Sequence, residues 1–393
     1  MPNPTGTGAA QRGFHTLKVL RENYRVDLLI TADQSNAPAE ITQLAERVIV
    51  LPAPRFRDPA YAMTMLRHSL AGAGLLRYPS APDAWLHVTR LRLNLARKRV
   101  AGTDYAMIHA FRLSSAPFAW ECSHERPSSQ LQLDLDETES RNITNIGLLQ
   151  RQQGELSEAT RTLAAGIFWE QQEALWLPRF KSLFVSSPRE QHYLEQKYQF
   201  DKLRVAPNIV IPQEKVSPPY VKSQPHRLLF VGSFGYYPNR DAVRFFLQEI
   251  ASRLHESIDF RLVCIGYGLK GDFRKWLGAQ PHVELLGEVE DITPWYRKAD
   301  AAVVPLRAGG GTRIKILQAF AQHCPVISTR IGAEGLQVTP GRELLLADSA
   351  SDFAAQCLKV MHDVELRRHL TQNAQRLLLE QYSIKNLRQG LFD

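Results

Sequence analysis

Residues 304–321 combine a glycine turn with two nearby cations, a pattern that could bind an anion. The sequence VPLRAGGGTRIKILQAFA leads from an apolar run through the three glycines at 309–311 into a helix-like segment. Glycine lets a backbone approach a ligand closely, and a helix N-terminus offers unpaired N–H groups and a positive dipole to an anion. Arg313 and Lys315 add positive charge at that helix start, which is unfavourable unless something negative is bound. The segment therefore predicts a diphosphate site; the alternative is a plain strand-turn-helix corner with two solvated cations.

The surrounding sequence reads as two parallel sheets covered by helices. Short apolar runs alternate with amphipathic segments in both halves of the 393-residue chain, which is the βαβ pattern. In the first half the expected strands are Val26–Ile30, Val48–Leu51, Ala106–Ala110, Leu131–Leu135, Ser182–Val185 and Leu203–Val205. In the second half they are Arg227–Val231, Arg261–Ile265, Val283–Leu286, Ala301–Val304 and Pro325–Ser328. The sequence therefore predicts an α/β protein with two Rossmann-like domains.

A proline-rich stretch separates the two sets of strands. Residues 211–226 contain four prolines and few large apolar side chains, as an extended linker does. We expect a first domain at 1–212, the linker at 213–226, a second domain at 227–375 and a helical tail at 376–393 that crosses back to the first domain. The usual opening strand is missing, since turn-like residues come at once. Either the native N-terminus lies upstream, which we favour, or the sheet tolerates a gap.

The composition of the chain limits the classes of ligand and the cellular compartment that we expect. Lys and Arg number 48 against 40 Asp and Glu, so the net charge of +8 favours nucleotides, anionic lipid surfaces or nucleic acid. The four cysteines lack the spacing of a zinc site or redox pair, which fits a reducing cytoplasm. We see no apolar run long enough to span a bilayer and no core of a signal peptide.

The 304–321 segment resembles the donor-site signature of glycosyltransferase family 4. Enzymes of that family have the GT-B fold and transfer a sugar from a nucleotide donor with retention. The common signature has two glutamates with seven residues between them, whose positions here hold Gly310 and Gln318. A branch of the family with Thr-Arg-x-Lys in the loop also lacks the first glutamate. The further segments that resemble the family, in family order, are 230–242, 286–292, 300–305, 328–336 and 344–348.

The resemblance implies a GT-B chain in which two Rossmann-like domains face a cleft, with roles for particular residues. It implies catalytic roles for His109, Arg313 and Lys315, and a ribose contact for Gln318. The implied donor-binding residues also include Gly8, Arg12, Gly232, Ser233, Val289, Gly309, Gly310, Gly311, Thr312, Ile316 and Leu317. For Arg12 the alternative is a surface corner, and for His109 a packed side chain.

An acidic cluster in the first domain is the candidate for accepting the acceptor's proton. The segment DLDETES at 134–140 matches a family segment, and Asp134, Asp136 and Glu139 are its candidate acceptor-binding or base residues. Capping of the following helix is an equal alternative. We expect no metal and no cofactor besides the nucleotide-diphosphate sugar as co-substrate, because the resemblance implies that basic residues and dipoles balance the leaving diphosphate.

The expected function is that of a retaining glycosyltransferase of the hexosyltransferase type. Its acceptor would be a glycan or a lipid-linked glycan, in polysaccharide or glycoconjugate biosynthesis. The basic stretch RLRLNLARKR at 90–99 and the cations of 55–77 would hold the protein at the inner face of the membrane. The alternative is that they form an ordinary helix face. We expect no nucleic-acid partner, because no aromatic interleaving accompanies the cations. The alternatives are a non-catalytic GT-B protein that binds sugar nucleotides or glycans, and a GT-B epimerase or phosphorylase.

Overall fold

The computed structural model describes residues 2–4, 6–31, 39–53, 61–63, 65–66, 82–124, 126, 128–212 and 224–393. Most of the basic stretch 55–77 and of the expected linker 213–226 lies outside the described residues. The chain divides into two compact units. One is Met1–Ala206 together with Leu387–Asp393, and the other is Pro207–Asn386.

The first unit is built on a four-stranded parallel sheet with a separate parallel pair of strands. Its elements are α1 Gly8–Leu20, β1 Asp27–Ile30, α2 Ala39–Thr42, β2 Arg47–Val50, α3 Arg90–Val100, β3 Met107–Phe111, α4 Ala116–Ser123, β4 Gln130–Asp136, α5 Glu139–Gln152, α6 Leu156–Trp176, β5 Ser182–Val185, α7 Pro188–Tyr198 and β6 Leu203–Val205. The sheet order is β3-β4-β5-β6, and β1 pairs with β2. Leucines at 131, 133 and 135 share one face of β4, and Gln132, Asp134 and Asp136 lie on the other; all six are buried because both faces of the strand are covered.

The start and the end of the chain both belong to this unit. Thr7 caps α1 through its hydroxyl, which accepts a bond from the Ala10 N–H. The last helix, α15 Ile384–Phe392, brings Gly390 onto the backbone of Val205 and Ala206, where a side chain at 390 would overlap that backbone. Arg388 also forms a two-pronged ion pair with Glu22 at 2.7 and 2.9 Å.

The second unit is a six-stranded, all-parallel sheet in the order β12-β11-β10-β7-β8-β9. Its elements are β7 His226–Val231, α8 Tyr237–Phe245, α9 Ala251–His255, β8 Phe260–Ile265, α10 Gly271–Gly278, β9 Val283–Gly287, α11 Thr293–Lys298, β10 Ala301–Val304, α12 Ile314–Ala321, β11 Val326–Ser328, β12 Leu345–Leu346, α13 Ala350–His362 and α14 Val364–Gln381. The chain runs outward from β7 in one direction and from β10 in the other. The carboxyl ends of these two central strands therefore form the switch point where open α/β sheets bind ligands.

The expected strands all occur within about two residues of their predicted bounds, and β12 is a strand that the sequence reading missed. Buried parallel strands are recognisable because both faces are covered and the strand becomes a short, continuous apolar run. β12 has only two residues, too few for such a run. The predicted helices after the second sheet are present as α13 to α15. Among the described residues, we find no helix with the length and apolarity needed to cross a membrane.

Candidate functional site

The glycine corner follows β10 at the switch point of the second unit. Gly309 and Gly311 have φ angles of 132° and 65°, which favour glycine. A Cβ on Gly309 would lie 2.7 Å from Nη2 of Arg313. The Arg313 side chain folds back over this corner, and its Nη1 donates to the carbonyl oxygens of Gly310 and Gly311. The absence of side chains at these glycines therefore lets the Arg313 guanidinium pack directly against the backbone of the corner.

Arg313 has more hydrogen-bond donors than partners. Its side chain is 8% exposed, and its Nε and Nη2 atoms are buried without a hydrogen-bond partner among the described residues. No described carboxylate forms an ion pair with it. Burying an unpaired charged donor costs free energy, so such a group usually marks a bound ion, a water or a ligand. The position of these donors beside the glycine corner favours an anionic ligand.

Lys315 points at the same place from the first turn of α12. Its Nζ donates to Oδ1 of Asn239 at 2.7 Å and lies 4.6 Å from the centre of the Phe230 ring. Burial lowers the pKa of Lys315 to about 7, and repulsion from Arg313 adds to the effect. A protein that kept this lysine for stability alone would be expected to give it a carboxylate partner. In the described part of the chain it has none, so neither cation is neutralised from within.

The loop after β7 forms the opposite side of this site. A Cβ on Gly232 would lie 2.8 Å from the Asn239 amide and 2.9 Å from Nζ of Lys315. The Ser233 carbonyl accepts a bond of 2.8 Å from Nδ2 of Asn239. The structure thus brings together Gly232, Ser233 and both cations, which the sequence reading had assigned to one site from segments about 80 residues apart.

Gly232→Ala is expected to weaken binding of a nucleoside diphosphate by about 10- to 100-fold, because the new methyl group displaces the Lys315 ammonium by roughly 1 Å. The measurement is calorimetric titration with UDP and with GDP. Gly278→Ala is the matched control, since its Cβ would meet only ordinary contact distances. Unchanged affinity in Gly232→Ala would contradict a ligand at this position.

The remaining residues assigned to the donor loop divide into two groups. Gln318 is half-buried on α12, and Thr312 is buried immediately before Arg313. Ile316 and Leu317 have no exposed surface and pack into the core of the second unit. Their side chains are therefore unavailable to a donor, which corrects the expectation as far as side-chain contacts are concerned. The reason is helical geometry, because α12 turns these two positions toward the sheet.

A cavity of about 340 Å³ lies at the carboxyl ends of β8 and β9. Its walls are formed by residues 266–269, by Arg274 and by residues 285–288. Gly266 has a φ of 151°, and a side chain there would overlap the Gly232 carbonyl. The cavity thus adjoins the loop after β7 through backbone contact. Val289, expected to contact the nucleotide, follows the cavity wall directly and packs partly against the core.

The first unit gives Arg12 a structural partner. Arg12 is 2% exposed and forms a two-pronged ion pair with Asp134, with distances of 2.8 to 3.0 Å. Its Nη1 also donates to the Ala206 carbonyl at 2.6 Å. Asp134 is completely buried and accepts a further bond from the Asp136 N–H. This buried pair favours a structural role for Arg12 and Asp134 over the expected contacts with a diphosphate and an acceptor hydroxyl, because each is committed to the other inside the core.

Arg112 is a residue that the sequence reading missed. It directly follows β3 with a φ of 67° and donates to Glu139 and Glu137, while Asp136 lies 3.9 Å away. Burial lowers the pKa of Arg112, but Glu139 and the neighbouring carboxylates outweigh that effect and hold the pKa above its ordinary value. Asp136 and Glu139 are therefore neutralised by a cation. No local pattern in the sequence indicates this pairing, because Glu139 lies 27 positions from Arg112.

His109 lies on β3 and Gly8 begins α1. The His109 Nδ1 is 3.3 Å from Oε1 of Gln132, while its Nε2 is buried with no partner among the described residues. Burial lowers the pKa of His109, although Asp134 opposes that shift. The imidazole is therefore neutral at pH 7. One unpartnered nitrogen is compatible with the expected contact to a sugar and with the packed alternative alike.

The glycine corner with its two unneutralised cations can now be set beside known proteins. Residues 225–363 match the family model described as Glycosyl transferases group 1. The lipopolysaccharide core biosynthesis mannosyltransferase LpsB of Rhizobium meliloti is 25% identical to this chain over 205 residues. That match covers 47% of this chain and 54% of the relative, so it spans about half the length of either protein.

Solved structures agree in fold along the whole chain. Sucrose-phosphate synthase from Thermosynechococcus elongatus superposes with a TM-score of 0.71 at 17% identity, over 98% of this chain and 92% of that one. Anabaena Alr3699/HepE in complex with UDP and glucose gives a TM-score of 0.63 at 15% identity, over 100% and 96%. The predicted fold class, GT-B with two Rossmann-like parallel-sheet domains and C-terminal helices, is confirmed.

Proposed function

We propose that this protein is a retaining glycosyltransferase of family 4 that moves a sugar, of the hexosyl type, from a nucleotide-diphosphate sugar to a hydroxyl acceptor. The observation that supports it is the glycine corner of the second unit, where Arg313 and Lys315 converge without a carboxylate among the described residues. A built site with two uncompensated cations at a sheet switch point suits a diphosphate. The matched family model covers this same region.

In the proposed mechanism the cations stabilise the leaving group. The donor diphosphate occupies the corner at 309–311, Arg313 and Lys315 face its oxygens, and Gln318 lies beside the ribose. The bond between the anomeric carbon and the phosphate oxygen breaks as the acceptor oxygen bonds to the same face of the sugar. The acceptor proton leaves with the nucleoside diphosphate, so no protein nucleophile is needed. Fixed positive charge at the point where negative charge develops supplies most of the rate.

We place the reaction in the cytoplasm at the inner face of the membrane, with a glycan or lipid-linked glycan as acceptor. The support is the outer face of α3, where Arg90, Leu91, Lys98 and Arg99 are exposed. Cations beside an exposed leucine suit an anionic lipid surface. Arg92 takes no part, because it is buried and donates to three backbone carbonyls.

The test is a two-step measurement on the purified protein. A panel of nucleotide sugars is first screened by thermal shift, and the donors that stabilise the protein are then incubated with hydroxyl acceptors. We expect release of nucleoside diphosphate that depends on the acceptor, and a product with the donor's anomeric configuration. An inverted product would contradict retention, and the absence of any stabilising nucleotide sugar would contradict the whole proposal.

A second candidate function is donor binding without catalysis. The observation that favours it is Gln318, an amide where the resembling family most often has a carboxylate. An amide accepts hydrogen bonds from ribose hydroxyls with about half the strength of a carboxylate. A donor that stabilises the protein but releases no nucleoside diphosphate with any acceptor would support this candidate instead.

Gln318→Glu is expected to tighten nucleotide binding by about tenfold, because a charge-assisted bond to ribose replaces a neutral one. Calorimetric titration with a nucleoside diphosphate measures it. Gln381→Glu, at an exposed position near the end of α14, controls for the added negative charge. Weaker binding in Gln318→Glu with no change in Gln381→Glu would contradict the ribose contact.

A further inference from the structure

The first turn of α8 is connected to the glycine corner by two side chains that lie two positions apart. Asn239 accepts the bond from Nζ of Lys315 at 2.7 Å and donates to the Ser233 carbonyl at 2.8 Å. Asp241 accepts two bonds from Arg307, at 3.0 and 2.7 Å, just before the corner. Asn239 and Asp241 are 6% and 3% exposed. The start of this helix therefore contacts both Arg307, which precedes the corner, and Lys315, which follows it.

The amide chemistry of Asn239 defines what it does to Lys315. An amide has one acceptor oxygen and one donor nitrogen, and here each is engaged, so the side chain has a single orientation. The oxygen fixes the ammonium in space but carries no charge that could cancel it. Asp241 shows the contrast, because its carboxylate neutralises Arg307. The same turn thus gives one cation a counter-charge and gives the other only a neutral hydrogen-bond acceptor.

We propose that Asn239 is a positioning residue for the anionic ligand of the second unit, because its neutral amide holds the Lys315 ammonium toward the glycine corner without cancelling its charge. This inference rests on the proposed function, since it assigns the nucleoside diphosphate as the ligand. No residue outside 309–318 was expected to act on the two cations, and the role of Asn239 follows from its contacts alone.

The groups around Lys315 are few. Arg313 immediately precedes the same helix, the Phe230 ring comes from β7, and Tyr296 of α11 donates to the Lys315 carbonyl at 3.0 Å. Burial keeps the pKa of Tyr296 well above its ordinary value, so its hydroxyl stays neutral. Because the pKa of Lys315 is lowered to about 7, binding of an anion should take up a proton. Affinity should then fall as pH rises above 7.

A double-mutant cycle tests whether Asn239 acts through Lys315. UDP and GDP are titrated calorimetrically into the wild-type protein, Asn239→Ala, Lys315→Met and the double variant at pH 7. We expect each single variant to weaken binding by about tenfold or more, and the double variant to match Lys315→Met. Equal effects of Asn239→Ala in both backgrounds would overturn the inference, since Asn239 would then act only on the fold.

The charge of the acceptor gives a second, independent test. Asn239→Asp places a carboxylate 2.7 Å from the ammonium, so nucleotide affinity should fall by about tenfold and its decline between pH 7 and 9 should disappear. Asn239→Ala should keep a decline, with its midpoint at or below that of the wild type. Wild-type affinity and pH dependence in Asn239→Asp would overturn the inference.

The outcomes also separate this inference from the proposed function. If the wild-type protein binds neither nucleotide, or if Lys315→Met binds as well as the wild type, the proposed function fails at its main residue. If Lys315→Met weakens binding and Asn239 shows no coupling to it, only the positioning role fails. Thermal unfolding of each variant shows whether the second unit is intact.

Discussion

Lys315→Ala is expected to lower donor turnover by about 100- to 1,000-fold, because it removes one of the two cations that would face the leaving diphosphate. The fold should remain intact, since among the described residues Nζ donates only to a neutral amide and its burial is itself unfavourable. Stability should even rise slightly near neutral pH, where the buried ammonium is partly charged. The measurement is release of nucleoside diphosphate under saturating acceptor, together with thermal unfolding.

The matched control for this expectation is Lys359→Ala. Lys359 is exposed on α13 of the same unit, so its loss removes one positive charge at a surface site. Turnover in Lys359→Ala should stay within about twofold of the wild type, because exposed charges are screened by salt. Wild-type turnover in Lys315→Ala would remove the main support for a diphosphate at the glycine corner.

Asp134→Ala should destabilise the first unit by about 3 to 5 kcal/mol, because it leaves the Arg12 guanidinium charged, buried and without its partner. Urea unfolding monitored by tryptophan fluorescence measures the loss. Glu22→Ala breaks the exposed pair with Arg388 in the same unit and should cost far less. The comparison isolates burial as the cause, since both pairs have similar distances.

The double variant Arg12→Met with Asp134→Leu distinguishes structure from catalysis. Replacing both partners with apolar side chains should recover most of the lost stability, because exchanging a whole buried ion pair for apolar residues of similar volume often costs little. If the refolded double variant turns over donor at nearly the wild-type rate, Asp134 is no general base. A double variant that is fully stable but inactive would instead support a role for Asp134 in the reaction.

The sequence predicts the strands well, but it does not predict which polar side chains contact each other, and the reason is physical. A buried parallel strand is a local apolar run, and the glycine corner with Arg313 and Lys315 is a local pattern too, so both are visible in a short window. The partner of Arg12 lies 122 positions away, and Asn239 lies 76 positions from Lys315. A window cannot show which carboxylate meets which cation.

Residue-level errors in the site follow from the same limit. Ile316 and Leu317 stand inside a functional segment and are therefore expected to contact the donor, yet their helix turns their side chains into the core. Arg112 was overlooked because a lone arginine after a strand has no distinctive spacing. Its three acidic neighbours come from the end of the next strand and the helix that follows it. Resemblance identified the segment, and only the fold could divide its residues into those that face a ligand and those that pack.

Residues 387–393 lie in the first unit with α1 and β6, although the whole second unit is translated before them. On the ribosome, where domains usually fold in order of synthesis, the first unit must wait for its last helical turns until the second has emerged. The backbone around Val205 and Ala206 stays uncovered during that interval. Maturation of the two units is thereby linked in time, and loss of residues 387–393 would leave this part of the first unit uncovered.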